Sequence, residues 1–237
     1  MGRATRLARF VGPQPKTYLA TARLGARTDT DDLTGALVEE SAVDGLSEEQ
    51  VFAALASFAG EQRQRAPAYS AKHIGGERSH RLARRGLAVE PPEASVTVHR
   101  IEPVGWVSPA LTFRATVSAG TYLRSIARDL GTRLGVGGHL TALRREAIGG
   151  LRVEDAVTLD RVTRDSLLPV LQVLRHLPAV ELDPEARAAV LHGRAVADGE
   201  AAGRSGGVVA LLQGSELVAV ARAEDGWLKP TVVLGDA

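Results

Sequence analysis

The sequence predicts an α+β fold, with strands and helices in order followed by a small β-rich module. Three observations carry that prediction. Apolar residues recur with period two at 16–25, 94–104 and 110–118, the spacing of half-buried strands. Helical stretches with start and stop signals lie between and after them. Residues 207–234 then break into three short strand-like runs separated by turn dipeptides.

The elements follow in order. Lys16 to Gly25 alternate well enough for a strand that glycine ends, and Arg27 to Gly35 form a polar loop. Ser47 with Gln50 three residues on makes a capping box, and Val51, Phe52, Leu55 and Phe58 continue it as an amphipathic helix ending at Gly60. Gly75-Gly76 is a turn before a short basic helix from Glu77 to Arg85, which Gly86 terminates. Pro91-Pro92 breaks the chain, two strands follow at 94–104 and 110–118, and Gly120-Thr121 turns into a helix over 121–134. A helix around 164–175 precedes a domain boundary near Leu177-Pro178, giving domains 1–177 and 178–237. Beyond it, Asp183-Pro184 is an N-cap with proline at the first helical position. The three final strands span 207–213, 216–222 and 227–234, with Gly214-Ser215 and Asp225-Gly226 as their turns.

Composition bounds the chemistry. The chain has 237 residues, 44% hydrophobic and 24% charged, an ordinary globular mix that can hold a core without disulfides or a structural metal. The absence of cysteine excludes thiolate catalysis, thiolate zinc sites and disulfide scaffolds. No run approaches a membrane span, and Met1 to Arg9 lacks the apolar stretch of a signal peptide. A cytoplasmic protein with no membrane partner is expected.

The net charge of +1 conceals blocks: 1–30, 61–85 and 114–152 are basic, whereas 31–60 and 178–237 are acidic. Basic blocks that converge in space bind a polyanion through counterion release; otherwise they are solvated helix faces. All three tyrosines, Tyr18, Tyr69 and Tyr122, fall beside basic residues. A ring that stacks on a base next to a cation that meets phosphate is the composition of a single-strand or flipped-base site, and it is equally that of core tyrosines beside surface charge. Asp29, Asp31 and Asp32 fail the calcium-loop pattern, because Leu33 and Thr34 stand where a ligand and a glycine are needed. A turn with capped amides suits them better. The histidines show no ligand spacing, and the sequence has no phosphate-binding loop, nucleophile elbow or dinucleotide fingerprint. No metal is expected, and the sequence offers no support for a nucleotide cofactor.

Several segments, taken in order, say more than composition. Gly2-Arg3-Ala4-Thr5-Arg6, Lys16-Thr17-Tyr18, Leu24 to Asp32 with Gly35, Gln64 to Lys72, Gly120-Thr121-Tyr122-Leu123-Arg124 through Gly131, and His139 to Arg145 together resemble the bacterial tRNA pseudouridine(55) synthase family. The match spans about 2–175, and the tail resembles the small RNA-binding, PUA-like module of some members more weakly. The resemblance implies a mixed, mainly antiparallel sheet with flanking helices, and a cofactor-free isomerase that flips one uridine from the T arm of tRNA, attacks with an aspartate and re-forms the glycosidic link through carbon. It implies that Tyr18 stacks on the uracil, Tyr122 packs at the same pocket, Leu143 contacts the base and Asp32 lies at the pocket edge. It further implies that Arg124 pairs with the nucleophilic aspartate. RNA contacts are expected from Lys16, Lys72, Arg78, Arg81, Arg84, Arg144 and Arg145, with tRNA as partner and a monomeric protein.

Members of the family carry the nucleophile in a Gly-(Thr/Ala)-Leu-Asp-Pro motif ahead of the Gly-x-Ala-Thr segment, and this sequence begins at Met1-Gly2-Arg3-Ala4-Thr5. Leu182-Asp183-Pro184 lacks the glycine context and opens a helix. No catalytic aspartate is therefore assigned within the chain, which is expected to be inactive as written. An N-terminally shortened synthase is the first expectation, a non-catalytic tRNA-binding protein the second. The first predicts that Arg124 is left without its carboxylate.

Overall fold

The computed structural model describes residues 2–87, 90–199 and 206–235. Met1, on which the expectation of a shortened chain turned, lies outside them. Two compact units emerge: Pro13–Ala156, and Met1–Gly12 together with Val157–Ala237.

A 3-10 segment, Gly2–Leu7, runs into the single turn α1 (Ala8–Val11). The Pro13–Ala156 unit follows with β1 (Lys16–Leu24), β2 (Ala26–Thr28), β3 (Leu37–Glu40), α2 (Glu48–Ala56), β4 (Gly60–Arg65), β5 (His73–Ile74), β6 (Glu77–Arg78) and α3 (Ser79–Arg84). It continues with β7 (Glu93–Val107), β8 (Ala110–Val117), α4 (Leu123–Arg133), β9 (Gly138–Ile148) and β10 (Leu151–Arg152). Six strands form one antiparallel sheet in the order β10-β9-β1-β8-β7-β4. Alternation puts Ala20, Ala22 and Leu24 of β1 on one face with Leu111, Phe113, Ala115 and Val117 of β8, and α2 and α4 cover that face through Val51, Leu55, Ile126 and Leu130. This buried face holds α4 against the sheet, and α4 carries the site.

The capping box is present: the Gln50 amide donates to Ser47 Oγ at 3.2 Å, and the Ser47 amide donates to Gln50 Oε1 at 2.9 Å. The helix stops at Ala56, however, not at Gly60. Gly60, at φ +98°, opens β4 instead. Glu61 to Arg65 carry no apolar alternation because β4 is an edge strand, where polar side chains discourage pairing with another chain. β9 was likewise not predicted, since its centre reads Leu143-Arg144-Arg145-Glu146 with no apolar alternation.

The second unit contains α5 (Val170–Val173), β11 (Ala179–Glu181), α6 (Pro184–Leu191), β12 (Val196–Ala197), β13 (Val208–Gln213), β14 (Glu216–Glu224) and β15 (Trp227–Val233). The helix expected over 164–175 is corrected to a 3-10 turn, Arg164–Ser166, and the one turn of α5. Pro169 lies between them; it has no amide to donate and disfavours helical geometry in Leu168. The three final strands and both turns fall where expected, with Asp225 (φ +53°) and Gly226 (φ +78°) in the left-handed geometry a two-residue hairpin favours. Asp183 caps α6, its Oδ1 accepting from the Ala186 amide at 2.7 Å. The sheet order is β11-β13-β14-β15-β12, with β11 parallel to β13. The boundary expected at Leu177-Pro178 falls inside this unit. Leu174 packs in one cluster with Leu7, Ala210, Val220 and Val232, so chain on both sides of Pro178 shares a core.

Candidate active site and RNA face

The first turns of α4 bring two arginines, Arg124 and Arg128, onto one helix face at i, i+4. Arg124 Nη1 donates to the Thr30 carbonyl at 3.1 Å and to Asp32 Oδ2 at 2.9 Å, while its Nη2 donates to the Tyr69 carbonyl at 3.0 Å. Arg128 Nη1 meets Asp31 Oδ2 at 3.0 Å, its Nε meets Asp129 Oδ1 at 2.8 Å, and its Nη2 donates to the Arg65 carbonyl at 3.1 Å. Both guanidiniums thus join the aspartate-rich turn to the end of β4 and the segment after it. Arg124 is not left without a carboxylate: Asp32 supplies it, because the turn folds back over the start of α4.

The turn is built for this. The Ala36 amide donates to Asp29 Oδ1 at 2.8 Å and the Thr34 amide to Asp32 Oδ1 at 3.0 Å, so the aspartates cap backbone amides as the sequence suggested. Gly35 is required: a Cβ there would run into the side chains of Thr30 and Asp29. Asp31 sits at φ +60°, which aspartate tolerates better than most residues, and its carbonyl accepts the Leu140 amide at 3.0 Å. The two neighbouring carboxyls are tuned in opposite senses. Burial, the largest influence on Asp31, pushes its carboxyl above the ordinary range despite Arg128 and Arg124. Burial also opposes ionisation of Asp32, but hydrogen bonds from the Thr34 and Thr30 hydroxyls and the Thr34 amide, with the charge of Arg124, together hold it below.

Tyr122 immediately precedes α4, and Gln64 of β4 holds it by a two-way contact. The Tyr122 amide donates to Gln64 Oε1 at 2.8 Å, and Gln64 Nε2 donates to the Tyr122 carbonyl at 3.2 Å. Gln64 is 4% exposed. Sequence reading passed over Gln64, Asp31 and Arg128 as side chains of the site. Burial of an amide in a polar strand and a second arginine one turn after Arg124 are the signals available, and the first exists only once the chain is folded.

The β1–β9 pairing brings Tyr18 and Leu143 onto one face. Leu143 lies opposite Ala20 and Arg145 opposite Tyr18, so all four share the face that leads to α4. Tyr18 packs against the core edge, whereas Leu143 remains 49% exposed, an apolar side chain presented to solvent at the middle of a strand. β9 joins this group to the arginine cluster, since Leu140, three residues before Leu143, bonds Asp31.

The expected RNA-contacting cations differ from the other arginines of this unit. Arg23, Arg27, Arg63, Arg65, Arg85, Arg100, Arg114 and Arg152 all pair with glutamates. Among the described residues, Lys72, Arg78, Arg81, Arg84, Arg144 and Arg145 make no such ion pair and are exposed. Lys16 is partly buried beside Arg145, and burial followed by that like charge lowers its pKa, the situation an incoming anion relieves. No group of three or more metal-ligating side chains occurs among the described residues.

Comparison with known proteins decides the family. A model described as "TruB family pseudouridylate synthase (N terminal domain)" matches residues 1–123, and one described as "tRNA pseudouridylate synthase B C-terminal domain" matches 124–171. The chain belongs to the TruB family of pseudouridylate synthases. Relatives within it include the tRNA pseudouridine synthase B of Thermobifida fusca (strain YX), 38% identical over 98% of this chain and 82% of that one. The protein of the same name from Burkholderia mallei (strain NCTC 10247) is 40% identical over 97% and 80%. Two solved structures share the TruB-type fold at a TM-score of 0.71. One, titled "Structure of H/ACA RNP bound to a substrate RNA containing 2'-deoxyuridine", is 24% identical and covers 99% of this chain and 70% of its own. The other, titled "Crystal Structure of a Cbf5-Nop10-Gar1 Complex", is 25% identical and covers 99% and 69%. The TruB segments quoted from the sequence are thus the ones that build the two joined clusters, Asp32–Arg124–Tyr69 and Tyr18–Leu143–Arg145.

Proposed function

We propose that this chain provides the uridine pocket and RNA face of a tRNA pseudouridine synthase acting on the T arm at position 55. The observation that carries the reading is that β9 joins the ion-paired Arg124 to the strand-borne Tyr18 and Leu143 within one unit, which also holds exposed arginines without a glutamate partner among the described residues. The reaction conserves every atom of the uridine. The N1–C1′ bond breaks, the uracil turns, a C5–C1′ bond forms, and the proton lost from C5 is balanced by one gained at N1. What these residues contribute is binding and orientation. The base must leave its stack at a cost of a few kcal/mol, which Tyr18 offsets by stacking and Leu143 by apolar contact. The exposed Lys72, Arg78, Arg81, Arg84, Arg144 and Arg145 neutralise phosphates. Hydrogen bonds from Thr34 and Thr30, with the charge of Arg124, hold Asp32 ionised beside the site. The Gly-(Thr/Ala)-Leu-Asp-Pro setting of the family nucleophile does not occur in this sequence, and Asp183, the aspartate that precedes a proline, is occupied as a helix cap. The pocket is therefore assayed best by base flipping. Residues 178–237 are proposed as an accessory RNA-binding module.

The test uses a T-arm hairpin carrying 2-aminopurine beside the target uridine. The protein should enhance its fluorescence on binding. Tyr18→Ala should remove the enhancement and weaken binding by about 1–3 kcal/mol, the worth of one stacked base, with the salt dependence of binding unchanged. Binding with no fluorescence change in either protein would favour a tRNA-binding role without base extrusion.

A further inference from the structure

We propose that Arg128 and Asp31 form a positioning pair that sets the geometry of the Arg124–Asp32 pair. The role rests on the uridine-site reading of Arg124, but the contacts that argue for it are independent of any substrate.

Asp31 is fixed at three points. Its carbonyl is held by the Leu140 amide, its backbone occupies the left-handed region at φ +60°, and its carboxylate is held by Arg128. Asp32 is the next residue, so a planar peptide carries any rotation of Asp31 directly into the position of the carboxylate that meets Arg124. Arg128 is itself immobilised, because its remaining donors engage Asp129 on its own helix and the Arg65 carbonyl. Arg124 engages the Tyr69 carbonyl four residues further along that segment. The two arginines therefore grip the same two segments side by side, and the inner one is the better protected from water. Asp31 and Arg128 side chains are 15% and 21% exposed, against 26% and 23% for Asp32 and Arg124. A forked guanidinium suits this arrangement better than a point charge does, since acceptors from three different places meet its three nitrogens. Without Arg128, a strained turn would hold a buried carboxylate without its ion-pair partner, and the turn would relax by swinging that carboxylate outward. Asp32 would move with it.

The experiment is arginine side-chain NMR on the full chain without RNA. In the wild type, rotation about the Arg124 Cζ–Nε bond is slowed by its fork of bonds, so separate Nη signals are expected at low temperature. Arg128→Gln should merge the Arg124 signals and speed exchange of the Leu140 amide by about tenfold or more, while core amides of β8 keep their protection. Arg128→Lys should restore them only in part. The neutral pair Asp31→Asn with Arg128→Gln, which leaves no buried lone charge, should restore separate Arg124 signals. Separate Arg124 signals in Arg128→Gln would overturn the proposal. Should that variant fail to fold, the double variant decides: separate signals support the pairing and merged signals refute it. Failure of the wild type to bind a T-arm hairpin would count against the uridine-site reading alone and would leave the Arg124 result standing.

Discussion

Asp31 and Asp32 show how far environment separates two identical side chains one residue apart. Asp32 has its carboxyl depressed, so in linkage terms it contributes stability above its unfolded pKa of about 3.9, and that contribution is lost as pH falls through the lower folded value. Asp31 has its carboxyl raised, so the folded state binds that proton more tightly than the unfolded chain does, and stability is gained as pH falls through its folded pKa. Acidification should therefore protonate Asp31 first and Asp32 last. Carboxyl-carbon NMR between neutral pH and about pH 2 checks the order, and the reverse order would show that Arg128 outweighs burial at Asp31. The identity of these residues as a turn was readable, because an aspartate-rich run that fails a cation-loop pattern and ends in glycine has few other uses. Which aspartate faces which arginine was not readable, since the partners lie ninety or more positions apart.

Among the elements, α4 depends on one glycine more than on any large side chain. Gly131 lies on its buried face, and a Cβ there would run into the backbone of Gly137 and Gly138, where β9 begins. Backbone cannot yield as a flexible side chain does. Gly131→Ala should destabilise the Pro13–Ala156 unit by about 3 kcal/mol, near the upper end of overpacking penalties, despite the higher helix propensity of alanine. Denaturant unfolding followed by α4 amide exchange checks this, and a stabilised variant would mean that β9 starts elsewhere. The elements found from sequence were those with period or punctuation: β1, β7, β8, α2 with its capping box, and the three final strands. Among those missed are short strands such as β2, which falls in the stretch expected as a polar loop, and two long strands whose apolar alternation is suspended, β4 by its place at the sheet edge and β9 by the charged run around Leu143.

Across the molecule, charge sorts into two populations. One is spent on glutamates, as in Arg100 with Glu102 and Arg114 with Glu146, and the other is left exposed on Lys72, Arg78, Arg81, Arg84, Arg144 and Arg145. If the second population meets phosphate, replacing Arg81 and Arg84 by glutamine should reduce the salt slope of tRNA binding by about 0.9 for each duplex phosphate that is no longer neutralised. Arg100→Gln should leave the slope unchanged, because its charge is already neutralised by Glu102. Affinity measured from low to moderate salt distinguishes them, and equal slopes for all variants would remove α3 from the RNA face.

Fold class and family were present in the amino-acid order, because periodicity, caps and ordered motifs are local properties of a chain. Tertiary structure alone decided three matters: that Asp32 supplies the carboxylate of Arg124, that the buried amide of Gln64 fixes Tyr122, and which arginines are already neutralised. Each is a pairing between distant positions, and hydrogen bonds and ion pairs act over a few ångströms of space without regard to separation along the chain. The division into units followed the same logic. Leu7 and Leu174 join one core from opposite ends of the sequence, and no local pattern records that meeting.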